Sequence, residues 1–393
     1  MFTILPIKGF IDQIDGFYCD GINAGLKTNG NNDLGFIYSD KPCDVNAIFT
    51  DNKFQAAPLK HFLQYGENFK TNFVLINSKN ANALTGRKGI EDINTLFSQL
   101  DFDLVNPIMS STGVIGNPLP IEKIVAGAKK FDLNSKNGEN LSKAIMTTDA
   151  YAKSCMYEVK LEDGTSFKIG AVAKGAGMIN PNLATMLCFI CTDANVPNVD
   201  VKEALKVNSK TTFNAISVDG DTSTNDTVMV LSNGNSNSYD KEAFFEALRL
   251  VMHDMAMLMV ADGEGAKKVA AFEVINATND EQAEIAAKAL SNSLLVKTAL
   301  FGEDPNFGRI ASTIGASKID CDDEKLVISY NDVMVFNKGE ICFSKEIEQK
   351  AGEVLKNDKY RIICDIGLGN GKFTAYGCDL GYKYVEINAD YRT

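Results

Sequence analysis

The chain has 393 residues and a hydrophobic content of 45%, enough for two or three domains or for one large α/β unit with a sizeable core. Its formal net charge of −12 argues against a nucleic-acid partner, because phosphate recognition needs clustered cations. The first residues have neither the basic region nor the cleavage site of a signal peptide, and no apolar run is long enough to cross a membrane, so we expect no membrane partner.

Strand-like runs recur along the chain, separated by turn residues. In chain order they lie at 46–51, 73–78, 106–116, 157–175, 185–194, 224–233, 325–336 and 360–388. Helical periodicity is clearest at 241–260 and 280–301. Several strands are adjacent like hairpins and the helices form separate blocks. The pattern therefore predicts an α+β fold of a layered α/β/β/α type rather than a doubly wound parallel sheet.

Several groups that often carry chemistry are predicted to be structural. The nine cysteines lack framework spacing, which predicts reduced thiols in a cytoplasmic protein. Cys188 and Cys191 have CxxC spacing but lie in an apolar run, so we expect buried strand cysteines. His61 and His253 have no triad or metal motif around them. GLGNGK at 367–372 lacks phosphate-loop spacing and is predicted to be a hairpin turn.

A threonine can act without histidine when it is amino-terminal, because its α-amino group, with an unperturbed pKa of roughly 7.7–8.0, serves as the base. In KGAGMINPNLATML, the glycines and Pro181 permit a strained turn before Ala184 and Thr185. Attack of the Thr185 hydroxyl on the small Ala184's carbonyl would cut the chain and free that amine. From local sequence alone, a β-branched residue opening a strand is the simpler interpretation.

The segment KGAGMINPNLATML (174–187) resembles the self-cleavage segment of the ornithine acetyltransferase family. These are the glutamate N-acetyltransferases of the cyclic arginine pathway, including the bifunctional amino-acid acetyltransferases. The resemblance spans nearly the whole chain. Eight further motifs match in order: NAIFTDNKFQAAPL (46–59), NSKNANALTG (77–86), SSTGVIG (110–116), IMTTD (145–149), SVDGDTSTNDT (217–227), ADGEGAKK (261–268), KTALFGEDPNFGRI (297–310) and INADYRT (387–393).

Four positions depart from the family's pattern. Lys79 and Leu84 stand where glycine and cysteine are expected, and Ala150 and Ala176 stand where threonine and serine are expected. None of these departures removes the proposed nucleophile, Thr185.

The resemblance implies that the chain cuts itself between Ala184 and Thr185 into an α chain, 1–184, and a β chain, 185–393. Thr185 would then take the acetyl group of N-acetylornithine and pass it to glutamate, with no metal or organic cofactor. Assembly into a heterotetramer of two α and two β chains is implied as well. The sequence leaves open whether acetyl-CoA is a second acetyl donor.

The resemblance also implies roles for residues in the pocket. The Thr112 hydroxyl and the Gly113 N–H would form the oxyanion hole, although SSTGVIG alone suits a tight turn after a strand. Lys174 would bind the substrate carboxylate and Glu264 the ornithine ammonium group, although each alone is interpreted as a surface charge. The remaining substrate contacts would be Thr148 (or its neighbour Thr147), Asn388 and Thr393.

Two alternatives remain at this point. The first is an aminopeptidase or amidase with an amino-terminal nucleophile, which differs from a transferase in letting water reach the acyl-enzyme. The second is a non-catalytic binding protein in which Thr185 is only a strand residue.

Overall fold

Two mixed β-sheets form the framework of the protein in the computed structural model, which describes residues 1–180 and 186–390. The first sheet is built from β1 (Phe2–Pro6), β2 (Phe17–Ile22), β3 (Leu34–Phe49), β4 (Lys70–Asn77), β5 (Ile108–Ser111), β6 (Lys153–Leu161), β7 (Ser166–Lys174), β8 (Leu187–Thr192) and β10 (Thr227–Ser232). The second is built from β9 (Ile216–Ser217), β11 (Val269–Ala277), β12 (Val327–Tyr330), β13 (Val333–Asn337), β14 (Glu340–Ile341), β15 (Lys359–Asp365) and β16 (Gly371–Cys378).

The described residues also form eleven α-helices. They are α1 (Ala57–Leu63), α2 (Gly86–Ser98), α3 (Ile121–Ala128), α4 (Gly138–Ala144), α5 (Asn198–Ser209), α6 (Lys241–Ala261), α7 (Asp280–Asn292), α8 (Leu294–Phe301), α9 (Phe307–Ala316), α10 (Lys345–Leu355) and α11 (Tyr382–Asp390). Within the part of the chain that the structure covers, no helix is both long and apolar enough to span a membrane.

The strand order shows how the chain crosses between distant segments. The first sheet runs β1, β6, β7, β8, β10, β3, β4, β5, with β2 paired to β3, and only the pairs β8–β10 and β4–β5 are parallel. The second sheet runs β14, β13, β12, β15, β11, β16, β9. Helix α6 packs on β6 and β7 and also contacts β16, and α7 packs on β11 and β16. The α+β prediction is confirmed.

The helix predicted at 241–260 is present as α6, whose start is capped by Asp240 accepting the Ala243 N–H at 2.8 Å. The helix predicted at 280–301 is broken, which corrects the sequence interpretation. Ser293 has extended backbone angles (φ −69°, ψ 113°) and its side chain accepts the Val296 N–H. Its hydroxyl caps α8, so the chain changes direction between two short helices.

Two predictions near the carboxyl end are wrong, one of a strand and one of a hairpin turn. Residues 382–390 form α11 rather than a strand, and no side chain of this helix is buried, so no sheet partner selects an extended form. The segment 367–372 is not a hairpin turn, because β15 and β16 lie on opposite sides of β11. The loop crosses the end of β11, where the N–H groups of Leu368 and Gly369 donate to the Asn276 carbonyl.

Three of the residues predicted to be structural, Cys188, Cys191 and His61, are buried in the interior. Cys188 and Cys191 are both fully buried in β8, and they belong to core clusters on opposite faces of the sheet. Two thiols that face apart on one strand cannot share a metal ion. His61 is buried on α1 and its Nε2 lies 3.2 Å from Asn94 Oδ1, while His253 lies on α6 against the Tyr376 ring.

Candidate active site

A cavity of about 150 Å³ opens where loops that follow strands of the first sheet meet α11. Every predicted site residue that the structure describes lines this one cavity: Thr112, Gly113, Thr147, Thr148, Lys174, Glu264 and Asn388. Ala184, Thr185 and Thr393 lie outside the described residues. Residues more than 270 positions apart in sequence thus converge on one volume.

The wall formed by Thr112 and Gly113 is fixed by backbone bonds to the loop after β4. Thr112 N–H donates to the Asn77 carbonyl at 3.0 Å, and Val114 N–H donates to the Lys79 carbonyl at 3.2 Å. Gly113 has φ +129°, and a Cβ there would lie 2.3 Å from the Lys79 carbonyl carbon, so only glycine fits. Neither the Thr112 hydroxyl nor the Gly113 N–H has a hydrogen-bond partner among the described residues, which leaves both available to a ligand oxygen.

Of the four positions that depart from the family pattern, two adopt a left-handed backbone conformation and two make hydrogen bonds through backbone atoms. Lys79 and Leu84 have φ of +77° and +56°, a region that glycine adopts more easily. Ala150 N–H donates to both carboxylate oxygens of Asp262, at 3.1 and 3.2 Å. The Ala176 carbonyl accepts the Glu264 N–H at 2.8 Å. The last two contacts use backbone atoms, so they do not depend on the side chains that differ.

A fully buried ion network lies behind the cavity. Lys153 Nζ is 2.8 Å from Asp149 Oδ1 and 2.5 Å from Asp262 Oδ2. Burial opposes ionisation of Asp149, but the charges of Lys174 and Lys153 lower its pKa to about 2. Asp149 therefore remains an anion among cations and needs no further partner.

Asp149 also fixes two backbone segments that line the cavity. Its carboxylate accepts the Thr147 N–H at 2.9 Å and the Gly175 N–H at 2.7 Å, which fixes the loop after α4 and the end of β7. Lys174 is 6% exposed, and burial lowers its pKa, although Asp149 opposes that shift. The Lys174 ammonium group makes no hydrogen bond to residues 1–180 or 186–390, so a ligand carboxylate is a suitable partner.

The lining of the cavity also contains a carboxylate, that of Glu264. Glu264 is 8% exposed, and its carboxyl group packs on Gly177 so closely that a Cβ there would lie 2.4 Å from Glu264 Cδ. Asn388 Nδ2 donates to Glu264 Oε2 at 2.6 Å and to the Tyr384 carbonyl at 3.0 Å. The cavity is therefore lined by both an ammonium group and a carboxylate.

Two acidic residues that sequence reasoning did not single out bind the described backbone at positions 178, 179 and 186. Asp219 accepts the N–H groups of Met178 at 2.6 Å and Ile179 at 2.9 Å. Asp226 accepts the Met186 N–H at 2.8 Å, and burial raises its pKa well above the usual range. Both lie in SVDGDTSTNDT, which was matched as a motif without roles. The sequence signal that could have identified them is the position of acidic residues beside buried strands.

Paired donors of this kind can stabilise the oxyanion of an acyl transfer, so the cavity is suited to the chemistry of acyl-transfer enzymes. Sequence comparison makes this more specific: the chain belongs to the ArgJ family, which matches residues 18–393. The predicted family and the prediction of an enzyme are thereby confirmed.

Two relatives match nearly the whole length of the chain, and a related crystal structure matches part of it. The arginine biosynthesis bifunctional protein ArgJ of Wolinella succinogenes is 58% identical over 396 residues, with 100% of each chain covered. The protein of the same name from Caldanaerobacter subterraneus is 41% identical over 404 residues, covering 98% of this chain and 99% of the relative. A crystal structure of ArgJ from Bacillus halodurans is 41% identical with a TM-score of 0.50, covering 53% of this chain and 100% of that chain.

Proposed function

We propose that this chain moves the acetyl group of N-acetyl-L-ornithine to L-glutamate through an acetyl ester on Thr185, as a step of arginine biosynthesis. The observation that carries the proposal is the convergence of Thr112, Gly113, Lys174 and Glu264 on one cavity. The arginine-biosynthesis name of the full-length relatives supports it. For the same reason, an aminopeptidase or amidase is not favoured.

The charges of the cavity suit the α-carboxylate that both substrates share and the side chain of ornithine. Each substrate has an α-carboxylate, for which the buried Lys174 is the partner. The ornithine ammonium group is complementary to Glu264. A volume of about 150 Å³ suits one amino acid at a time, which fits a reaction in which the first product leaves before the second substrate binds.

The reaction follows in two halves. The Thr185 hydroxyl attacks the acetyl carbonyl, and its own α-amino group takes the proton. Thr112 and Gly113 donate to the oxyanion, the C–N bond breaks, and ornithine leaves with the proton. The α-amino group of glutamate then attacks the ester, which releases N-acetylglutamate and restores the hydroxyl. No metal or organic cofactor takes part in these steps.

The proposed mechanism requires a cut between Ala184 and Thr185, which gives chains 1–184 and 185–393. The size of the Bacillus halodurans chain supports this division, because all of it covers 53% of this chain. Residues 185–393 make up 209 of 393 residues, which is also 53%. We further propose a heterotetramer of two α and two β chains in the cytoplasm.

The sheet would hold the two products together after the cut. Strands β8 and β10 of the second product lie between β7 and β3 of the first. On one side, β8 pairs with β7, from Leu187 opposite Lys174 to Thr192 opposite Ile169. On the other side, β10 pairs with β3. Separating the products would expose both ladders and the core behind them, so the cavity keeps its walls from both chains.

The test combines processing with transfer. Wild-type protein should migrate as two chains on a denaturing gel and should transfer acetyl from N-acetylornithine to glutamate. Thr185→Ala should remain one chain and be inactive, whereas Thr185→Ser keeps a hydroxyl and serves as the matched control. Normal processing or transfer by Thr185→Ala would refute the proposal.

A further inference from the structure

Asn225 connects the residues around the proposed nucleophile to the wall formed by Thr112 and Gly113, which we call the oxyanion wall. It lies two residues before β10, in the second product of the proposed cut, and it lines the catalytic cavity. Its side chain is 5% exposed, so its amide has to find its hydrogen-bond partners within the protein.

Both donors of the Asn225 amide are used by segments of the oxyanion wall. Asn225 Nδ2 donates to the Ala81 carbonyl at 2.7 Å and to the Ser111 carbonyl at 2.8 Å. Both partners are acceptors, so only the amino end of the amide can face them. The other end, Oδ1, accepts the Thr224 hydroxyl at 2.7 Å, which fixes the orientation of the amide.

The bond to Ser111 acts on the peptide unit that leads into Thr112. The Ser111 carbonyl and the Thr112 N–H belong to this one planar unit. Asn225 donates to its oxygen, and the Asn77 carbonyl accepts its N–H at 3.0 Å. Because the unit is held at both ends, it cannot rotate without losing a hydrogen bond, and the chain enters Thr112 in one direction.

The bond to Ala81 holds the loop that packs behind Gly113. Ala81 N–H donates to the Val114 carbonyl at 3.0 Å, and the Lys79 backbone lies so close to Gly113 that no Cβ fits there. The loops after β4 and β5 are thus linked to each other and to the one amide group of Asn225. Loss of this amide would take a donor from two buried carbonyls.

Asn225 is also linked to the nucleophile's side of the cavity. The two residues that follow it contact Met186, the neighbour of Thr185 in sequence. Asp226 accepts the Met186 N–H at 2.8 Å, and Thr227 N–H donates to the Met186 carbonyl at 2.9 Å. Three consecutive residues therefore join the backbone after the proposed nucleophile to the oxyanion wall.

We propose that Asn225 is a positioning residue for acetyl transfer, which holds the oxyanion wall in place relative to Thr185. This rests on the proposed function, because it requires an oxyanion at that wall. Both N–H donors of the amide are occupied, so Asn225 acts through the wall rather than on the substrate. The link crosses the proposed cut, from 185–393 to 1–184, and so keeps the donors preorganised after the chain is divided.

The experiment measures acetyl transfer from N-acetylornithine to glutamate by Asn225→Ala and by a matched control, Asn233→Ala. Asn233 follows the other end of β10, is 7% exposed, and donates through Nδ2 to the Asp15 carbonyl at 2.7 Å. Both asparagines link the second product to the first, but only Asn225 contacts the oxyanion wall. Asn225→Ala should lower kcat per cleaved chain roughly ten- to a hundredfold with little change in KM, since misplaced catalytic groups cost rate. Asn233→Ala should keep both constants.

A double-variant cycle separates positioning from a general structural effect. If Asn225 acts through the Thr112 hydroxyl, its removal costs less where that hydroxyl is already missing. The loss of kcat in Thr112→Ala/Asn225→Ala should therefore be smaller than the product of the two single losses. Thr224→Val is a milder variant, which keeps Asn225 and removes the hydroxyl that orients its amide, and it should lower kcat to a smaller extent.

The outcomes distinguish this inference from the proposed function. Absence of transfer by the wild type would refute the proposed function rather than the role of Asn225. A wild-type kcat in Asn225→Ala, or in Thr224→Val if the alanine variant does not fold, would overturn the inference. An equal loss in Asn233→Ala, or single losses that multiply in the double variant, would overturn it as well. Asn225→Ala that folds but stays uncleaved, while Asn233→Ala is cleaved normally, would assign the residue to self-cleavage instead.

Discussion

Asn388 Nδ2 donates a 2.6 Å hydrogen bond to Glu264 Oε2, which joins the last described helix to the wall of the catalytic cavity. The same helix is joined to the loop before 181–185 by the Tyr384 hydroxyl, which donates to Asp219 Oδ2 at 3.2 Å. No side chain of α11 is buried, and these polar contacts hold the helix together with the contact between the Tyr382 and Phe301 rings.

Replacing Asn388 should therefore impair substrate binding more than folding. Asn388→Ala should raise the KM for N-acetylornithine, by roughly tenfold for a lost hydrogen bond to a charged group. Val385→Ala, on the same helix with 67% exposure, is the control. Equal KM values in the two variants, at unchanged Tm, would remove Asn388 from the site. Deletion of Ala389–Thr393 tests Thr393 by the same measurement.

The Thr112 hydroxyl should stabilise the transition state. Removal of one oxyanion donor typically costs about 2.7–4 kcal/mol, so Thr112→Ala should lower kcat roughly a hundred- to a thousandfold with a smaller change in KM. Thr112→Ser retains the hydroxyl and should recover most of the rate. A kcat for Thr112→Ala equal to that of the wild type would show that this hydroxyl is not in the oxyanion hole.

Asp226 should hold the Met186 backbone next to the proposed cleavage site. Asp226→Ala removes the acceptor of the Met186 N–H and should slow self-cleavage, whereas Asp226→Asn retains an acceptor oxygen and should cleave faster than the alanine variant. The measurement is the fraction of cleaved chain as a function of time, starting from protein that has been obtained uncleaved. Equal rates for the two variants would contradict this role.

The buried ion network should be a large contributor to folding stability. Lys153→Met leaves Asp149 and Asp262 without their cation, and loss of one partner of a buried pair costs about 3–5 kcal/mol in free energy of unfolding. Lys160→Met, on the same strand at 56% exposure, should change it little. Urea unfolding of both variants provides the comparison, and similar midpoints would contradict the prediction.

The same network should respond to acid. The pKa of Asp149 in the folded protein, about 2, lies below its unfolded value of about 3.9. Its contribution to stability is therefore complete above the unfolded value and is lost as the pH falls through the folded one.

The sequence predicted the fold where periodicity and burial agree. Helix α6 and the strands β6, β7 and β8 follow apolar patterns that only one type of element satisfies. The pattern YKYVEI around Tyr384 suits a strand or a helix, and the absence of a sheet partner decides for the helix. At Ser293, a cap within an otherwise continuous pattern was not recognised.

The site residues could be predicted where they lie in motifs that resemble those of the family. Thr112 and Glu264 were found through resemblance, and neither has a local pattern that separates it from a turn or a surface charge. Asp226 acts on the backbone of a segment 40 residues away, which no local pattern encodes. Asp33 accepts the N–H groups of Ala24, Leu26 and Lys27, and these contacts arise only in the folded chain.

The most direct test of the central claim is the mass of the chain that begins at Thr185 after incubation of the processed enzyme with N-acetylornithine and without glutamate. The proposed mechanism predicts one added acetyl group, located on Thr185 by fragmentation, and its loss when glutamate is added. A chain that stays unmodified while acetyl transfer proceeds at its normal rate, or an acetyl group on another residue, would contradict the mechanism.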